Sequence, residues 1–235
     1  MARQFDNAQD QYVDCGSSTL LSPDAQPFTL GCWARRTGSP ADSRQVVTRV
    51  GATARINLRL TGAYAPVFRC KSDAGVNAQL TATETLAQDT WHSLCCVRET
   101  SPTGQLRLYL DGVEVTNSPL SFGASETISS FSNPLLIGRN PLNTARDWDG
   151  DVAMAFLYKG VAATPGQAAG LARGLAPWLV LGSGLTACWP LRGTASPEPE
   201  VMSGLNGTLV NGPGYAADPI ALSALAAGSR RRRIA

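Results

Sequence analysis

Short stretches in which apolar and polar residues alternate recur about every ten residues along most of this chain, with turn-forming residues between them. A period of two puts every second side chain on the same face of an extended strand, so each stretch offers one face to a core. Residues 28–36 place Phe28, Leu30, Cys32 and Ala34 on one side and Trp33 on the other. Strands are expected next at 45–50, at 55–60 with Ile56, Leu58 and Leu60 alternating, at 67–71 and at 79–86. Residues 91–98 are apolar on both faces, as suits a strand between two packed layers. Residues 106–110 and 113–115 flank Asp111-Gly112, a pair that tolerates the positive φ of a tight hairpin turn. Strands at 135–137 and 152–158 complete the series.

One helix stands out, at 164–175. Thr164 suits the cap, Pro165 the first turn, and Gln167 the reciprocal capping position three residues on. Beyond it, 185–191 and 208–210 read as strands within a segment rich in Pro, Gly, Ser and Asn. The expected architecture is all-β: a two-sheet antiparallel sandwich with one short helix and a small C-terminal extension. Three segments follow: the sandwich at 1–178, an extension at 179–228 that packs on it or on a neighbouring subunit, and a basic tail at 229–235. With 43% hydrophobic and 16% charged residues over 235 positions, the chain is rich enough to build a core.

Twenty basic residues face eighteen acidic ones, for a net charge of +2. Four of the twenty are Arg230, Arg231, Arg232 and Arg233; without them sixteen face eighteen. The body is therefore not a basic nucleic-acid binder, and the tail is a docking candidate for an acidic surface. The first residues lack the apolar core of a secretory leader, and no run reaches the ~18 apolar residues of a membrane span, so synthesis in a cytoplasm is expected. In that setting Cys15, Cys32, Cys70, Cys95, Cys96 and Cys188 read as small buried hydrophobes rather than disulfides.

Catalytic signatures are sparse. A retaining glycosidase needs two carboxylates about 5–5.5 Å apart, and the Glu-x-Asp-x-Glu pattern that would supply them is absent. Asp149-Gly150-Asp151 is the nearest approach, read as a solvated turn. The single histidine, His92, lies in a strand pattern with no nucleophile elbow in the chain, and it reads as structural. Residues 182–187 spell Gly-x-Gly-x-x-Ala, but Pro190 would end the required helix at once. No catalytic and no metal-ligating residue is assigned.

Six motifs occur in an order that resembles laminin-G/concanavalin-A-like (LamG, pentraxin-like) domains. They are Phe5-Asp6-Asn7 with Tyr12-Val13, the strand from Phe28 to Trp33, Thr90-Trp91-His92, Leu108-Tyr109-Leu110-Asp111-Gly112, Leu135 to Gly138, and Trp148 to Val152 leading into Phe156-Leu157-Tyr158. Residues 185–219 resemble an extension that follows such domains in some tailed-phage virion proteins. The resemblance implies a jelly roll of two curved sheets that binds sugars, proteins or other subunits.

From it come two expectations. The first is a non-enzymatic virion structural protein, assembled in the host cytoplasm. It would decorate a capsid, or belong to a fibre or tail, and would dock on other virion proteins as a homo-oligomer. The alternative is a lectin-like module for a host-surface glycan, with Trp148, Asp149 and Asp151 as rim-loop ligand candidates. Trp148, flanked by Asp147 and Asp149, is expected partly exposed, with rim packing favoured over ligand binding, whereas Trp33, Trp91 and Trp189 are expected in the core. Some relatives hold calcium at rim loops, but calcium needs six to eight oxygens and no full ligand set is visible here, so no cofactor is assigned.

Overall fold

The computed structural model describes residues 1–38, 44–102, 104–131 and 133–218. Among the described residues sixteen strands run in chain order: β1 (Ala2–Phe5), β2 (Tyr12–Asp14), β3 (Phe28–Arg36), β4 (Arg44–Val50), β5 (Arg55–Leu60), β6 (Pro66–Lys71), β7 (Asn77–Thr81), β8 (Trp91–Arg98), β9 (Gln105–Leu110), β10 (Val113–Glu114), β11 (Leu120–Ser121), β12 (Leu135–Ile137), β13 (Gly150–Lys159), β14 (Leu185–Trp189), β15 (Thr208–Val210) and β16 (Gly214–Ala216). Two helices, α1 (Pro165–Ala172) and α2 (Pro177–Val180), precede β14.

The strands form two antiparallel sheets. One has nine strands in the order β10-β9-β8-β3-β13-β1-β16, with β11 on β9 and β14 on β13. The other has seven, in the order β15-β2-β12-β4-β5-β6-β7. The inner faces meet in one core holding Phe28, Phe68, Leu58, Leu94, Leu108, Ile137, Trp148 and Trp189. Phe28 and Phe68 reach across it edge to face, 6.1 Å between ring centres. A second cluster lies on the outer face of the nine-stranded sheet, where Tyr109, Met154, Phe156 and Tyr158 pack under Ala168 and Leu171 of α1. This explains why β8 and β13 are apolar on both faces: each is a floor for one layer and a ceiling for another.

Local signals behave as their chemistry requires. Asp111 and Gly112 take φ of 52° and 80° in the β9–β10 hairpin. Thr164 accepts from the backbone N–H of Gln167, and the Gln167 side chain accepts from the Thr164 N–H, closing the capping box. All six cysteines are unpaired and buried. The strand expected at 79–86 ends at Thr81, and the 152–158 strand starts two residues early at Gly150. The C-terminal strands serve both sheets: β14 pairs with β13, β16 with β1 and β15 with β2. Arg3 fastens this arrangement through a fully buried 2.7 Å ion pair with Glu198.

Candidate functional site

In β5 the apolar phase Ile56, Leu58 and Leu60 joins the core, which turns Arg55, Asn57 and Arg59 to the outer face of the seven-stranded sheet. In β6, Phe68 and Cys70 point inward, which turns Arg69 and Lys71 outward. Register then joins residues distant in sequence. Thr48 lies opposite Asn57, Asn57 opposite Arg69, and Arg69 opposite Gln79, giving one polar row across four strands. Gln45 lies opposite Arg59, and Arg55 opposite Lys71.

A cleft of about 300 Å³ opens over this row. Its floor is Gln45, Val50, Arg55, Asn57, Arg59 and Arg69, and its far wall is Asn140, Leu142, Asn143 and Arg146. Asn57 is only 5% exposed. Its Nδ2 donates to Gln45 Oε1 and Thr48 Oγ1, leaving Oδ1 without a partner among the described residues. Arg69 Nε donates to Asn77 Oδ1 at 2.8 Å, and Arg59 donates to Gln79 Oε1 at 3.0 Å. Arg55 keeps a buried Nε that meets no acceptor among the described residues. Burial, and then the neighbouring charge of Arg69, hold the Arg55 guanidinium below its usual pKa.

The far wall is a pinned loop. Trp148 N–H donates to Gly138 O at 2.7 Å, closing its base. Asn143 caps the turn Thr144–Arg146 by accepting from Ala145 N–H. Arg44 donates to Ala145 O and Asp147 O, both at 3.1 Å, and Asp147 Oδ1 accepts from Asn140 N–H at 2.8 Å. Burial pushes the Asp147 carboxyl up to about 6, against the downward pull of the Asn140 N–H and of Arg139.

The rim candidates fare unequally. Trp148 is fully buried in the main core, contrary to its expected exposure. Flanking acids misled: Asp147 is itself buried, because its carboxylate serves the loop's own backbone. Asp151 is buried as well, not on a solvated turn. It lies within β13 between Arg35 of β3 and Gln4 of β1, and its Oδ2 meets Arg35 Nε at 2.6 Å. Gly150 allows this close pairing, since a Cβ there would lie 2.2 Å from Arg35 O at a φ of 142°. Asp149 alone of the three opens to a cleft, one of about 380 Å³ shared with Asp6, Gln9, Gln11 and Thr37. Of the tryptophans expected in the core, Trp189 is buried, but Trp33 and Trp91 are half-buried, with Arg35 stacked 5.4 Å from the Trp91 ring. Arg230, Arg231, Arg232 and Arg233 lie outside the described residues.

His92 is structural in its contacts. Its Nε2 accepts from Ala87 N–H, so Nδ1 carries the proton and donates to Asp111 Oδ2 at 2.7 Å. Both ring nitrogens are thus occupied by the hairpin and its neighbour. Among the described residues, no group of three or more His, Cys, Asp or Glu side chains is placed to hold a metal ion.

The two antiparallel sheets define a β-sandwich of the concanavalin A-like type. The sequence profile of the concanavalin A-like lectin/glucanases superfamily matches residues 7–167, and the chain belongs to that family. No curated protein matches it in sequence. Among solved structures, it is similar to a protein of Bacteroides ovatus ATCC 8483 assigned provisionally to carbohydrate binding, at 18% identity and a TM-score of 0.68, over 91% of this chain and 58% of that one. The chain thus spans little more than half the length of that relative. It is also similar to the heptameric SAP-like pentraxin of Limulus polyphemus, at 11% identity and a TM-score of 0.55, over 74% and 81% of the two chains. The CBM40 of the Ruminococcus gnavus IT-sialidase, solved with α2,3 sialyllactose, matches at 11% identity and a TM-score of 0.54, over 73% and 94%. At these identities the likeness is one of fold.

Proposed function

We propose that the protein is a non-catalytic carbohydrate-binding module that holds its saccharide in the cleft over β4, β5 and β6. One observation carries this reading: Asn57 sits almost wholly buried in the cleft lining with a carbonyl oxygen that meets no donor among the described residues. Buried polar atoms are nearly always paired, and an orphan at a cleft marks a place where a ligand completes the network. Side-chain amides and guanidinium groups held by their neighbours are suited to hydrogen-bonding sugar hydroxyls. The fold shared with a sialidase's binding module supports the assignment. The engagement of Asp151 by Arg35 supports a non-catalytic role for the Asp149-Gly150-Asp151 run, because the Asp151 carboxylate is buried in an ion pair and does not join Asp149 in the rim cleft.

The test is a glycan array probed with the full chain and three variants. Asn57→Ala and the exposed wall variant Leu142→Ala are expected to weaken binding, while Asp149→Ala leaves it unchanged. Binding that survives the first two and fails in the third would move the site to the rim cleft.

A role in a virion, with docking on other virion proteins, self-association and assembly in a host cytoplasm, is a second proposal. It rests on the resemblance of residues 185–219 and on the arginines at 230–233. The exposed Leu175, Trp178 and Leu179 around α2 would give such docking an apolar surface. Light scattering on the full chain and on one ending at residue 228 checks it. A discrete oligomer that weakens on truncation supports docking through the tail, and a monomer in both cases refutes self-association.

A further inference from the structure

We infer that the saccharide taken by this cleft is anionic, bearing a carboxylate or sulfate group that seats between Arg55 and Arg69. The inference rests on the carbohydrate-binding reading and narrows its ligand class. Four arginines line the cleft, and no carboxylate does so among the described residues. Arg55 and Arg69 stand diagonally on adjacent strands, two register positions apart, with Asn57 two residues from Arg55 on the same strand face.

Among the described residues, no carboxylate pairs with Arg55 or Arg69. Arg69 spends Nε on the neutral Asn77 amide, and Arg55 Nε has no acceptor among the described residues. Two like charges held this close repel, and an anion between them removes that repulsion while supplying the missing acceptors. Planar guanidinium forks match carboxylate and sulfate oxygens two at a time.

The orphan oxygen of Asn57 narrows the choice further. A fully ionised inorganic anion such as sulfate brings acceptors only, and so does nothing for a second acceptor. A hydroxylated anion brings both: charge for the arginines and an O–H for Asn57 Oδ1. Sugar acids and sulfated sugars have this composition. Both orphan atoms are buried within residues that line the cleft, so engagement includes a rotamer change in that lining.

Titration calorimetry on the full chain decides it, with three oligosaccharides of equal length: a polyuronate, a sulfated galactan and a neutral galactan. The polyuronate or the sulfated galactan is expected to bind at least tenfold tighter than the neutral sugar. That preference should shrink as sodium chloride rises from about 0.05 to 0.5 M. Arg55→Gln and Arg69→Gln should each cost about tenfold or more toward the anionic ligand and little toward the neutral one. Their melting curves should stay within a few degrees of the parent, because each change relieves a repulsion. Whichever anion wins identifies the group. Equal binding of neutral and anionic sugars overturns the inference and leaves the carbohydrate reading standing. Binding of no saccharide overturns both. Binding of poly-glutamate as tightly as the anionic sugar overturns the saccharide as ligand.

Discussion

Arg35 and Asp151 face each other across the β3–β13 register, with Nε and Oδ2 2.6 Å apart and the Asp151 side chain wholly buried. This contact fixes the chemistry of the rim. Burial pushes the Asp151 carboxyl above the usual range, and the hydrogen bond and charge of Arg35 pull it back. The pair joins the two central strands of the nine-stranded sheet at the point where Gln4 of β1 adds a third.

Removing one partner leaves a buried charge without compensation, which costs about 3 kcal/mol or more. Arg35→Met is therefore expected to lower stability by that amount at neutral pH. With Arg35 gone the Asp151 pKa rises further. A raised carboxyl favours the fold while protonated, so the deficit grows as pH rises above the unfolded value near 4. Denaturant melts at pH 5 and pH 8 should show the larger loss at pH 8. Adding Asp151→Asn should recover much of it. A single variant with unchanged midpoints would mean that the pair carries no stability.

Asp147 provides a second pH test. Its folded pKa of about 6 lies above the unfolded value, so its contribution to stability falls as pH rises from about 4 to 6 and is flat beyond. Asp147→Asn keeps an acceptor for Asn140 N–H and abolishes the titration. Relative to the parent, the variant should gain roughly 1–3 kcal/mol between pH 4 and pH 7. Parallel stability profiles for the two proteins would place the carboxylate in solvent.

The C-terminal strands can be tested by truncation. A chain ending at residue 178 loses β14, and with it the buried Ala187, Cys188 and Trp189. It also loses Glu198, leaving Arg3 buried and unpaired. Loss of one large core side chain costs about 3–5 kcal/mol, and several at once exceed the stability of most domains. The truncated chain is expected to show no cooperative thermal transition. A sharp melt close to that of the full chain would establish residues 1–178 as an independent sandwich.

How far the sequence could be read follows from the range of each interaction. The strands Arg55–Leu60, Trp91–Arg98 and Leu135–Ile137, the Asp111-Gly112 turn and the Thr164 cap are governed by residues within a few positions, and all were legible. The buried charges were not. Arg3 meets Glu198 across 195 residues, and Asp151 meets Arg35 across 116. A run such as Asp147-Trp148-Asp149 looks solvated until its hydrogen-bond partners are known. The cleft was hidden for a related reason. Alternation in β5 showed Arg55, Asn57 and Arg59 on one face, yet only register places Arg69 beside Asn57 and the 140–146 loop above them. The visible hint was Arg-x-Asn-x-Arg in the polar phase of an otherwise apolar strand.

The most direct test of the account is amide hydrogen exchange on the full chain, with and without a saturating saccharide found on the array. Protection is expected in β5, in β6 and in residues 140–146, with no change at residues 4–11 or 212–214 along the rim cleft. Protection confined to those rim segments, with β5 and β6 unaffected, would contradict the assignment of the binding site.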